Sequence, residues 1–130
     1  MDTTKFFYLI MKGENLPVDE IENKIGLKGE KYRKGEYIVK KYRTEKKIFQ
    51  SINRWIYIAY ADDNIKASQF LYDQLKILYK KRTIIQDYAK KNNVFFDLRI
   101  YSEDKTDIIF TKRNIHLLDK IGISLKLSFC

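Results

Sequence analysis

Few residues in this chain have side chains suited to covalent or metal chemistry, and their spacing argues against most of it. A single histidine, His116, and a single cysteine, Cys130, rule out a paired-histidine metal site, a cysteine metal cage and an intrachain disulfide. His116 sits in a helix-like stretch with no nucleophile motif nearby, which leaves it no recognisable part in a Ser-His-Asp or Cys-His arrangement. The acid pairs Asp62/Asp63 and Glu103/Asp104 stand at turns, where carboxylates cap helices or bend loops more often than they form a catalytic pair. Gly26-Leu27-Lys28-Gly29 spells the loop by which KH domains clamp a nucleic-acid backbone. That loop needs a helix on both sides, however, and the residues after Gly29 read as an extended ribbon. Gly29 and Gly35 also lack the Lys-Ser/Thr that completes a phosphate loop. These observations predict a protein without catalytic residues, cofactor or metal.

The chemistry that remains is recognition. Tyr32, Arg33, Lys34, Tyr37, Lys40, Lys41, Tyr42 and Arg43 interleave aromatic rings with cations, and Arg54 adds a further cation beside the lone Trp55. Tyrosine and arginine together suit a protein interface, and stacking planes beside cations also suit single-stranded nucleic acid. A plainer role for the same pattern is an edge strand whose lysines deter sheet-to-sheet aggregation and whose tyrosines cover the core rim. Trp55 reads as a core anchor, with a ligand-stacking platform as the alternative.

The net charge of +9 is unevenly spread over the 130 residues. Residues 31–54 carry +7 and residues 76–91 carry +5, while 1–30 and 55–75 each carry −2. Should the two basic blocks lie together, they would attract phosphate or an acidic partner. Lysine- and isoleucine-rich usage offers a compositional explanation, since an AT-rich genome places lysine on solvated faces without function. The length fits one domain, and 45% hydrophobic residues suffice for a core. The apolar run Phe6–Met11 is far too short for a membrane span or signal segment. A cytoplasmic protein without membrane contact is expected.

The elements that must position these residues follow from periodicity. Residues 4–12 are apolar on both sides, as in a covered inner strand. Pro17, the acids after it, the Ile21/Ile25 spacing and Gly26 predict a helix over 17–25. Residues 36–43 predict an edge strand or a mobile ribbon, and 52–60 a strand with Trp55, Tyr57 and Ala59 on one side and Arg54, Ile56, Ile58 and Tyr60 on the other. Asp62-Asp63-Asn64 offers a cap for a long core helix over 64–80, which Ile84, Ile85 and Tyr88 extend past a kink or as a second segment. A strand over 94–101, a short one over 107–110, a Thr111-capped helix stopped by Gly122, and a strand over 123–129 complete the order β-α-β-β-α-β-β-α-β. The fold class expected is α+β: one domain with a mostly antiparallel sheet of five to six strands, packed by one long and two short helices.

Several short motifs in this order resemble a known bacterial family. They are Asn15-Leu16-Pro17-Val18-Asp19-Glu20-Ile21 after the first strand, Lys24-Ile25-Gly26-Leu27, Arg33-Lys34-Gly35-Glu36, Trp55, the long helix, and Leu117–Phe129. Together they resemble the family called domain of unknown function 4279, over nearly the whole chain. The resemblance implies a compact α+β domain without an established activity, and for some such domains an immunity-type role in bacterial toxin systems. Composition and resemblance together lead to the expectation of a non-enzymatic interaction protein that contacts an acidic protein partner through residues 31–43 and Arg54. The alternative expectation is single-stranded or structured nucleic-acid binding through 31–43 and 76–91.

Overall fold

Alternation along the first strand decides the architecture. In β1 (Thr3–Gly13), Phe7, Leu9 and Met11 are fully buried, while Phe6, Tyr8 and Lys12 between them project from the other side and are only partly covered. The computed structural model describes residues 3–42, 44–62, 64–102 and 108–129. Among these, β1 is followed by α1 (Ile21–Ile25), β2 (Glu30–Tyr32), β3 (Tyr37–Tyr42), β4 (Thr44–Phe49), β5 (Asn53–Ala61), α2 (Ala67–Tyr79), α3 (Arg82–Ala89), β6 (Asn93–Ser102), α4 (Lys112–Ile121) and β7 (Ser124–Phe129).

β1 is the middle of a five-stranded sheet in the order β2-β5-β1-β6-β7. It pairs antiparallel with β5 (Leu9 opposite Tyr57) and with β6 (Leu9 opposite Phe96), and β7 runs parallel to β6 with Leu127 opposite Leu98. A parallel neighbour needs a crossover, which α4 supplies. β3 and β4 form a separate two-stranded ribbon, Tyr37 opposite Phe49, inserted between β2 and β5. Its base is closed by the Gly35 N–H donating to the Gln50 carbonyl and the Gln50 N–H donating to the Glu36 carbonyl, each at 2.8 Å.

All the helical packing falls on one side of the sheet. Leu71, Leu75 and Leu78 of α2, Ile85 of α3, Ile121 of α4 and Ile21 and Ile25 of α1 share one apolar cluster with Phe7, Leu9, Met11, Trp55, Phe96 and Leu98. Local chemistry fixes the helix ends. The Thr111 hydroxyl accepts from the Asn114 N–H while the Asn114 side chain accepts from the Thr111 N–H, a reciprocal cap on α4. Gly122 ends that helix in the left-handed region at φ 76°, as Gly26 ends α1 at 74°.

The fold is α+β in a single sheet-and-helix unit, as the sequence predicts, but several elements differ. Residues 36–43 are not a lone edge strand, because β4 pairs back on β3. Residues 108–110 make no strand, and Asp107 lies outside the described residues, as do Asp63, Glu103 and Asp104. The first helix is one turn over 21–25, since Pro17 belongs to a preceding turn in which its carbonyl accepts from the Glu20 N–H at 3.1 Å. The long helix starts at Ala67, because the Asp62 carboxylate instead folds back on the Asn64 N–H at 3.0 Å. Of the two expected continuations past the long helix, the second segment is the one present: Ile84, Ile85 and Tyr88 form α3, a third short helix, after Lys80 and Lys81 interrupt the apolar stripe. The inner strand is covered on one side only. The side carrying Phe6 and Tyr8 was expected to be buried, and it carries no helix.

Candidate functional site

The uncovered face of the sheet can be laid out from the strand register. Across it, Tyr32, Arg54, Lys12 and Asn93 form one row, and Glu30, Ile56, Ile10, Phe95 and Ser124 the next. The third row is Ile58, Tyr8, Asp97 and Lys126, and the fourth Tyr60, Phe6, Arg99 and Ser128. Rows lie about 7 Å apart and neighbours within a row about 5 Å apart. The first three rows and Arg99 bound a shallow depression of about 370 Å³, with Ile10, Ile56 and Ile58 in its floor. No side chain of α1 to α4 lines it.

Four cations stand around this floor, and they are poorly neutralised. Arg54, Lys12 and Lys126 make no ion pair among the described residues, and Arg99 pairs only with the buried Asp97, its Nε 3.0 Å from Oδ2. Instead the cations lie on rings: Arg54 is 5.1 Å from the Tyr32 ring centre, Lys12 5.4 Å from Phe95, and Arg99 4.8 Å from Tyr8. The fourth row ends in an aromatic patch, with Phe6 5.5 Å from Tyr60 and edge-on to Tyr101 at 5.7 Å. Tyr60 is 62% exposed.

Burial favours the neutral form of two phenols of this face, Tyr8 and Tyr32. Tyr8 is raised above its ordinary pKa by burial, against the opposing charge of Arg99. Tyr32 is pushed up to about 12 by burial first, and then by the hydrogen bond it donates to the Glu30 carboxylate and by that carboxylate's charge. Tyr88 in α3 reaches about 12 by burial and the nearby Glu20. Each raised phenol favours the fold fully below pH 10, and that contribution disappears as the pH climbs through 12. Stability should therefore fall between pH 10 and 12. In a tyrosinate absorbance titration, Tyr32→Phe and Tyr88→Phe should each remove part of the step near pH 12, and an unchanged step in both would refute the assignment.

The candidate residues of the sequence separate into distinct groups. Tyr32 and Arg54 reach the open face. Arg33 and Lys34 do not: Arg33 pairs with Asp19 and lies 4.0 Å from Glu36, and Lys34 pairs with Glu14 at 2.6 Å. These two cations staple the ribbon's base to the β1–α1 loop. Tyr37 is 66% exposed and packs against Phe49 with tilted rings 5.3 Å apart, outside the depression. Lys40, Lys41 and Tyr42 lie on β3 with side chains outside the described ones, and Arg43 is outside the described residues altogether. Trp55 points into the core and is fully buried, so it offers no stacking platform.

Sequence reasoning missed Tyr8, Lys12, Phe95, Asp97, Arg99 and Lys126. The signal was present in part, since the alternation of 94–101 separates Phe95, Arg99 and Tyr101 from the core residues. What periodicity could not show was that β1 and β7 present their even-numbered residues on the same open side.

A larger cavity of about 690 Å³ opens between the β1–α1 loop and α3, lined by Pro17, Lys24, Ile84 and Tyr88 among others. Its charges are mostly matched internally. Lys24 pairs with Glu20 at 3.1 Å, Lys90 with Asp87 at 3.5 Å, and Glu14 with Lys34. Lys12, Arg54 and Lys126 on the open sheet face have no such pairing among the described residues.

The family model described as domain of unknown function (DUF4279) matches residues 2–129. No curated protein and no solved structure matches the chain.

Proposed function

Since the chain belongs to the DUF4279 family, which is defined by its domain and not by an activity, we propose a function from the site alone: the open sheet face docks an acidic protein partner. The observation that carries this reading is an apolar floor of Ile10, Ile56 and Ile58 ringed by Lys12, Arg54, Arg99 and Lys126, three of which have no carboxylate of their own. Protein interfaces have this anatomy, an apolar centre enriched in tyrosine and arginine with a charged rim. Two carboxylates, Glu30 and Asp97, line the depression beside four cations, and acids on a partner's surface would complete the balance. An immunity-type role is one biological form such docking would take.

Single-stranded nucleic acid fits the same face less well. Base stacking needs free ring faces, and the rings of Tyr32, Phe95 and Tyr8 are each approached by a cation. The second basic block, residues 76–91, lies on α2 and α3, whose side chains take no part in this face.

The test is affinity capture from nuclease-treated bacterial lysate, comparing the native protein with Lys12→Glu/Arg54→Glu and with Lys76→Glu/Lys80→Glu, the same charge change on α2 and its end. Reversing two interface charges should lower capture of a stoichiometric protein at least about tenfold, and the helix pair should leave it unchanged. Equal loss in both variants, or capture of nucleic acid alone in the untreated lysate, would defeat the reading.

A further inference from the structure

Asp97 is an unusual residue for an uncovered face. It lies in the middle of the open side of β6 and yet is 1% exposed. It is covered by the groups it holds: Arg99 donates Nε to one carboxylate oxygen at 3.0 Å, and the Ser128 hydroxyl donates to the other at 3.3 Å. Burial alone would lower the pKa of the Arg99 guanidinium, but the hydrogen bond and charge of Asp97 outweigh it and hold Arg99 above its ordinary value. Tyr8 supports the guanidinium from one side at 4.8 Å. An arginine fixed in this way loses little side-chain freedom when it binds, and its fork retains N–H donors for a second acceptor. Lys126 stands directly across from Asp97 on β7, exposed and without an ion pair among the described residues. Arg99 and Lys126 both line the depression.

We infer that Arg99, oriented by Asp97 and assisted by Lys126, is an oxyanion receptor that takes a carboxylate of the partner. This rests on the docking reading for its ligand, and it names the point at which that ligand is anchored. Asp97 is a positioning residue: it fixes the direction of the guanidinium fork without meeting the ligand. A bidentate carboxylate matches that fork in geometry and strength.

The experiment follows the Arg99 Nε–H signal and the backbone amides of Tyr8, Asp97 and Lys126 in heteronuclear NMR at low ionic strength. The probes are N-acetyl-glutamate amide and, in a second arm, inorganic phosphate. The glutamate probe should give saturable shifts at these groups, and Arg99→Gln should abolish them. The decisive variant is Asp97→Asn. It raises the net charge by one, so simple charge attraction requires it to bind the probe more tightly, whereas an oriented fork requires weaker binding, by about threefold or more. Ser128→Ala keeps every charge, loosens Asp97, and should weaken binding in the same direction, which keeps the test decisive should Asp97→Asn fail to fold. Tighter or equal binding in both variants, absent shifts in the native protein, or a preference for phosphate over the carboxylate would overturn the inference. Intact carboxylate binding here, together with no effect of Lys12→Glu/Arg54→Glu on partner capture, would instead sink the docking reading alone.

Discussion

Gly29→Ala should destabilise the protein by about 3 kcal/mol, the upper end of what overpacking a filled core costs. A Cβ at Gly29 would stand 2.4 Å from Cε2, 2.6 Å from Cζ2 and 2.7 Å from Nε1 of Trp55, and that indole is fully buried. The loop cannot lift away freely either, because the Gly29 N–H donates to the Glu22 carboxylate at 3.0 Å. Gly35→Ala supplies the comparison. Open space surrounds that position, and only its backbone, at φ 89°, resists a side chain, at about 1 kcal/mol. Urea unfolding with an unchanged slope would read both. Equal losses at the two glycines would show that Gly29 is not pressed on the indole.

Both glycines were visible in the sequence as breaks, but their roles were not. Gly26 and Gly122 could be read as helix stops, since a left-handed C-terminal residue is a local requirement. The reason for a glycine at 29 is a residue 26 positions away. The same division runs through the fold. Strands with clean alternation, 52–60 and 94–101, were legible together with the direction of each side chain, and so were the capped helix after Thr111 and the stripe of α2. The β3–β4 ribbon was not, because 36–49 alternates poorly and its base is set by the Gly35–Gln50 clasp. The site was half legible. Tyr32 and Arg54 were picked out by type, yet Arg33 and Lys34 carry the same chemistry and are spent on Asp19 and Glu14, acids far from them in sequence. Local pattern identifies a cation but not its partner, and the partner decides whether the cation is available.

Trp55→Ala should cost about 4 kcal/mol, because it removes the largest fully buried side chain and leaves a cavity between β5 and the loop at Gly29. Trp55→Phe should cost far less, about 1 kcal/mol, for a specific reason. Among the described residues the indole N–H has no acceptor, so phenylalanine loses volume but also removes a buried unpaired donor. Chemical unfolding of both variants checks this. Similar losses for the two would mean that the N–H is satisfied and that the ring's polar edge matters as much as its bulk.

The central place of β1 also governs how the chain reaches its fold. Its two neighbours are β5 and β6, so Lys5 meets Ala61 on one side and Ile100 on the other, and Thr3 finds Ser102 across 99 positions. Only the β5 pairing lies within the first half of the chain, and the β6 pairing does not. During synthesis one edge of the apolar strand Phe6–Met11 must wait unpaired until residue 102 has left the ribosome, which is the situation in which nascent chains associate wrongly. Such a topology closes long loops before any contact repays them, and it should fold on the millisecond-to-second scale as one late cooperative event.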